Sequence, residues 1–90
     1  MIIISIPPTL RRFCGDLETV QVMPGTVADA IDQLQSRFNG IRERLLDDRG
    51  EVRGSVLIFV NQEDIRFLQN RLTPLNPGDE VSIVPAFAGG

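Results

Sequence analysis

Apolar and polar positions alternate at both ends of the chain and follow a helical period between. Ile2, Ile4 and Ile6 alternate with Ile3 and Ser5, the two-residue period of a strand, and Pro7-Pro8 stops it. Glu18 to Val22 predicts a second strand ending at Met23-Pro24-Gly25, after a connection from Thr9 to Leu17 that is long for a tight hairpin. Thr26 and Asp29 then form a capping-box-like start. Val27, Ala30, Ile31, Leu34 and Phe38 recur at helical spacing, and Asn39-Gly40 supplies a stop.

Ile41 to Leu46 predicts a further short helical turn, and Asp47 to Gly54 a polar, mobile loop. Asp47, Asp48 and Glu51 lack an EF-hand pattern and read as solvated surface. Ser55 to Val60 predicts a strand apolar on both faces, with Val56, Ile58 and Val60 on one side and Leu57 and Phe59 on the other. Asn61-Gln62 marks a turn, and Ile65 to Leu68 a short edge strand. Pro77 and Gly78 occupy the central positions of a type II turn, and the last strand runs from Glu80 to Pro85.

The order is strand, strand, helix, strand, short strand, strand. An α+β fold accounts for it: the β-grasp, or ubiquitin-like, arrangement, a mixed sheet with one main helix packed on one face. The isoleucine- and valine-rich first and last strands would lie parallel in its middle. A ferredoxin-like fold wants a second full helix late in the chain. Ile65 to Leu75 contains Pro74 and shows no apolar stripe to support one.

Composition narrows the chemistry. Ninety residues, 42% hydrophobic and 23% charged, predict one globular domain over residues 1–90. No apolar run reaches membrane-spanning length and no signal-peptide pattern is present, so the expected location is cytoplasmic, with no membrane partner. All nine basic residues are arginine and histidine is absent. That excludes a histidine base, a Schiff-base lysine and a phosphate-loop lysine. Cys14 is the lone cysteine. It lacks companions for a disulfide or zinc site and reads as inert despite the nearby Arg11 and Arg12. A net charge of −3 without a basic stripe argues against nucleic acid. The chain is not expected to be a self-contained enzyme, and no catalytic or metal-binding residue is assigned to it.

Gly89 and Gly90 are the remaining candidates. Glycine is about 7% of ordinary sequence, so two terminal glycines arise by chance in roughly one chain in two hundred. Here they directly follow a predicted strand. The expectation is a flexible Gly-Gly tail able to enter a narrow channel on another protein, where a Cβ would collide with the walls.

Ile4-Ser5-Ile6-Pro7, Gly40-Ile41-Arg42-Glu43-Arg44-Leu45, Val60-Asn61-Gln62-Glu63-Asp64-Ile65-Arg66-Phe67 and the segment from Gly78 to Gly90 resemble the ThiS/MoaD family of sulfur carriers. Within it they are most similar to the CysO-type carriers of cysteine biosynthesis. The resemblance spans nearly the whole chain and departs at Leu68 to Leu75, where a more glycine-rich connection is expected. It implies that the Gly90 carboxylate is adenylated by an E1-like partner and converted to a thiocarboxylate, often with a rhodanese-type donor. In the CysO branch a cysteine synthase and a JAMM-type metalloprotease act next. ATP, magnesium, pyridoxal phosphate and zinc then belong to the partner enzymes and none is bound by this chain. The alternatives are a MoaD-like subunit of molybdopterin synthase, a ubiquitin-like modifier conjugated through Gly90, and a plain binding module.

Docking needs a surface as well as a tail. Leu57, Phe59, Val84 and Phe87 are the candidate apolar contacts, with Ile3 expected nearby and Arg66 a lone surface cation for an acidic partner. The competing expectation is that the turn at Ile41 to Leu46 or a long loop covers this face.

Overall fold

The computed structural model describes residues 1–86. Strand β1 (Ile2–Ser5) follows its alternation, with Ile2 and Ile4 buried and Ile3 and Ser5 exposed. It pairs antiparallel with β2 (Thr19–Val22), setting Ile2 opposite Val22 and Ile4 opposite Val20. Pro7-Pro8 ends β1 and opens a 3-10 helix, Pro8–Phe13, in the long connection. Proline suits a helix start because its missing N–H would have had no intrahelical partner there.

Helix α1 (Val27–Arg37) carries the full capping box. Thr26 Oγ1 accepts the Asp29 N–H at 3.2 Å and Asp29 Oδ2 accepts the Thr26 N–H at 2.9 Å. Val27, Ala30, Ile31 and Leu34 are its buried face. Burial of each large apolar side chain contributes about 1.5–3 kcal/mol. Gly40, at φ +100°, breaks the helix in a conformation that a Cβ disfavours. Helix α2 (Ile41–Leu45) follows and sends Ile41 and Leu45 into the same core.

A five-stranded sheet has the order β2-β1-β7-β4-β5. Here β4 is Val56–Val60, β5 Glu63–Asp64 and β7 Glu80–Pro85. β1 and β7 are parallel and central, and the other pairs are antiparallel. A smaller sheet joins β3 (Gly25–Thr26) to β6 (Pro74–Leu75). This is the β-grasp arrangement.

Two local expectations change. Ile65 to Leu68 is not a strand: Ile65–Phe67 is a 3-10 helix, and the edge strand is Glu63–Asp64 before it. Asp64 causes the difference, because its carboxylate accepts the Arg66 N–H at 2.8 Å and caps a turn while Ile65 enters the core. The segment from Asp47 to Gly54 is a built turn. Asp47 Oδ1 accepts the Arg49 and Glu51 N–H groups at 2.8 and 3.0 Å, and Leu46 bridges Val52. The predicted turn at Pro77-Gly78 is present, with the Asp79 N–H bonded to the Asn76 carbonyl at 3.0 Å and Gly78 at φ +92°.

Candidate functional site: the outer sheet face and the end of β7

β7 lies between β1, which pairs with it as far as Ser82, and β4, which holds it to Pro85. Pro85 pairs with Val56, and the Ala86 N–H donates to the Ser55 carbonyl at 2.9 Å. Ala86, the last described residue, is therefore tied to the segment that leads into β4. Phe87, Gly89 and Gly90 lie outside the described residues.

The period of two in β4 separates its faces. Val56, Ile58 and Val60 are buried under the helices, whereas Leu57 and Phe59 are half-buried on the outer face. Cross-strand register completes the outer surface: Leu57 sits opposite Val84, and Phe59 opposite Ser82 on one side and Asp64 on the other. Val84 is 38% exposed. The turn at Ile41 to Leu46 does not cover this face, because Ile41 and Leu45 point into the core on the opposite side of the sheet. Ile3 stands apart from the cluster. It registers with Glu80, which puts Val84 about 13 Å further along β7.

Arg66 is exposed but not lone. Its Nε donates to Asp64 Oδ1 at 3.2 Å and its Nη2 to Oδ2 at 2.7 Å, a bidentate clamp at the edge of the apolar cluster. These side-chain hydrogen bonds hold the Asp64 carboxyl below its ordinary range and push the guanidinium up. Cys14 is fully buried, and burial raises its thiol pKa, the opposite of what a reactive thiolate needs. Among the described residues, no group of three or more His, Cys, Asp and Glu could hold a metal ion, and no helix is long and apolar enough to cross a membrane.

The sequence profile of the ThiS family matches residues 4–90. The chain belongs to the ThiS family. It is 39% identical over 89 residues to the sulfur carrier protein CysO of Mycobacterium tuberculosis, covering 97% of this chain and 96% of that one. It superposes on a chain of the Amycolatopsis orientalis BexX/CysO complex with a TM-score of 0.92 at 34% identity, with both chains covered completely. Small archaeal modifier protein 3 of Haloferax volcanii is 37% identical over 65 residues, 72% of this chain and 70% of that protein. Membership makes this a sulfur carrier of the CysO type, not an enzyme.

Within this ThiS-family frame the sequence reading missed two features. Phe67 is 80% exposed and Leu72 69% exposed, both in the connection it had treated partly as edge strand. Asp64 two residues before Arg66 was the signal for a capped turn. The second feature is a pair of arginines, Arg44 and Arg53, beside the end of β7. They come from α2 and the loop before β4, and no local pattern announces their meeting.

Proposed function

We propose that the Gly90 α-carboxylate is the sulfur-bearing group of this carrier. A carboxylate is a poor acyl donor, because direct substitution would expel an oxide. Attack of the carboxylate on the α-phosphorus of ATP releases pyrophosphate and leaves an acyl-adenylate. A sulfide equivalent then adds at the acyl carbon and AMP departs, leaving a thiocarboxylate with a nucleophilic sulfur. An E1-like partner supplies the ATP and magnesium site. In the CysO-type reading the sulfur goes to cysteine biosynthesis. There the thiocarboxylate attacks an aminoacrylate held on pyridoxal phosphate by a cysteine synthase, an acyl shift follows, and a JAMM-type zinc protease releases cysteine.

The observation that carries this reading is the placement of Ala88-Gly89-Gly90 two to four residues after Ala86, which is tied to Ser55 at the end of a central strand, in a chain of the ThiS family. Leu57, Phe59, Val84 and Phe87 form the proposed docking contacts, with Arg66 at the edge. The structural likeness to a chain of the BexX/CysO complex supports a protein partner.

The likeness to small archaeal modifier protein 3 favours a second reading, conjugation through Gly90 to amines of target proteins. Mass spectrometry of the C-terminal peptide, after incubation with an adenylating enzyme, ATP and a sulfur source, separates the possibilities. Replacement of one terminal oxygen by sulfur is expected. An unmodified carboxylate, under conditions that convert a control carrier, contradicts the proposal, and isopeptide adducts in cell extracts support the second reading.

A further inference from the structure

The end of β7 opens onto a groove of about 540 Å³ that shares Val84 with the docking face and extends beyond it. Leu10, Val56 and Val84 contribute apolar lining, Pro85 and Ala86 form one wall, and Arg44, Arg53 and the acidic Glu43 supply the charged groups. Both guanidinium groups are held in place. Arg44 lies over the Phe13 ring at 4.2 Å, with Arg12 over the same ring at 4.9 Å. Arg53 Nε donates to the Glu43 carbonyl at 2.7 Å, and the Arg53 N–H to the Leu45 carbonyl at 2.9 Å.

Among the described residues, the ion pairs join Arg42 to Asp32, Arg66 to Asp64 and Arg71 to Glu51. Arg44 and Arg53 belong to none of them, and neither do Arg11, Arg12, Arg37 and Arg49. Arg44 and Arg53 are exposed and line the groove beside Ala86, with Glu43 the one carboxylate side chain among its described lining residues. Fixed guanidinium groups above apolar lining match a segment that combines carboxylates with an apolar side chain.

We infer that this groove receives an acidic segment of the enzyme that takes the tail. The contact is a second docking element beside the apolar face, and it orients the partner at the point where the tail leaves the fold. The inference rests on the carrier reading above. On a carrier of net charge −3, two arginines beside Ala86 would also select which end meets an acidic segment first.

Calorimetric titration with Amycolatopsis orientalis BexX as the probe tests it, comparing wild type with Arg44→Glu, Arg53→Glu and the double variant. All three changes are at exposed positions, and thermal melts confirm folding. The double variant should bind at least about fivefold more weakly, and its affinity should respond less to added salt than that of wild type. Arg37→Glu on α1 carries the same change in net charge as either single variant and should bind as wild type does. Affinity within twofold of wild type in the double variant overturns the inference. So does tighter binding, which would mean that the groove holds the chain's own tail. If Phe59→Ala weakens the complex while the arginine variants do not, this inference alone falls. If none of these changes alters binding, the proposed docking surface falls with it.

Discussion

The two faces of β4 divide the labour of the protein within five residues. Val56, Ile58 and Val60 are buried against α1 and α2, where apolar area removed from water stabilises the fold. Leu57 and Phe59, from the same strand, stop at half burial beside an exposed Val84. A solvated sheet face has no need of a phenylalanine, a leucine and a valine in adjoining positions. The inner face is explained by folding. The outer face is proposed to serve an encounter with another protein, and its apolar side chains are held in place by the same backbone ladder.

The largest expected effect comes from the inner face. Ile58→Ala should cost about 2–5 kcal/mol of stability, because Ile58 is 2% exposed and its loss leaves a cavity. Chemical denaturation measures this directly, and a cost below ~1 kcal/mol would erase the contrast between the faces. Phe59→Ala should cost less stability than that, about 1–2 kcal/mol for a half-buried ring, and more than ~1 kcal/mol of affinity for the adenylating partner. A melt paired with a titration separates the two quantities. Equal destabilisation by the two substitutions, with affinity unchanged in the folded fraction, would assign Phe59 to the core.

A smaller effect concerns the edge of the outer face. The carboxyl of Asp64 is held below its ordinary range, chiefly by the Arg66 side chain. Its contribution is therefore present above the unfolded value near pH 4 and disappears as pH falls through the lower folded value. Wild type should lose stability on acidification in that window, and Asp64→Asn should lose less over the same range. Parallel slopes in denaturation series below about pH 4 would show that the clamp does not contribute. Asp79 also has a lowered pKa, from the Asn61 side chain and the Asn76 N–H, and adds to the slope of both proteins alike.

Local signals were the legible ones. The alternation of Ile2, Ile4 and Ile6, the Thr26–Asp29 capping box and the Pro77-Gly78 turn each depend on a few adjacent residues, and their spacing declared them. The mixed sheet followed from the order of those elements. The β3–β6 pairing escaped because two-residue strands, Gly25–Thr26 and Pro74–Leu75, are too short to show a period. Ile65 to Leu68 looked like a strand because apolar residues cluster there, yet one hydrogen bond from Arg66 to Asp64 turns the backbone. For the candidate site, the strand period correctly separated Leu57 and Phe59 from the core-facing residues. Register placed Val84 beside Leu57 and removed Ile3 from the group, a fact that lies in strand pairing and not in either strand alone.

The central claim is that Gly90 serves partners and not the fold. Gly90→Ala tests it most directly, through pyrophosphate exchange with the adenylating enzyme and a thermal melt on the same sample. The account predicts an unchanged melt and a sharp loss of exchange, because the added methyl group meets the walls of the partner's channel. Exchange at the wild-type rate would contradict it.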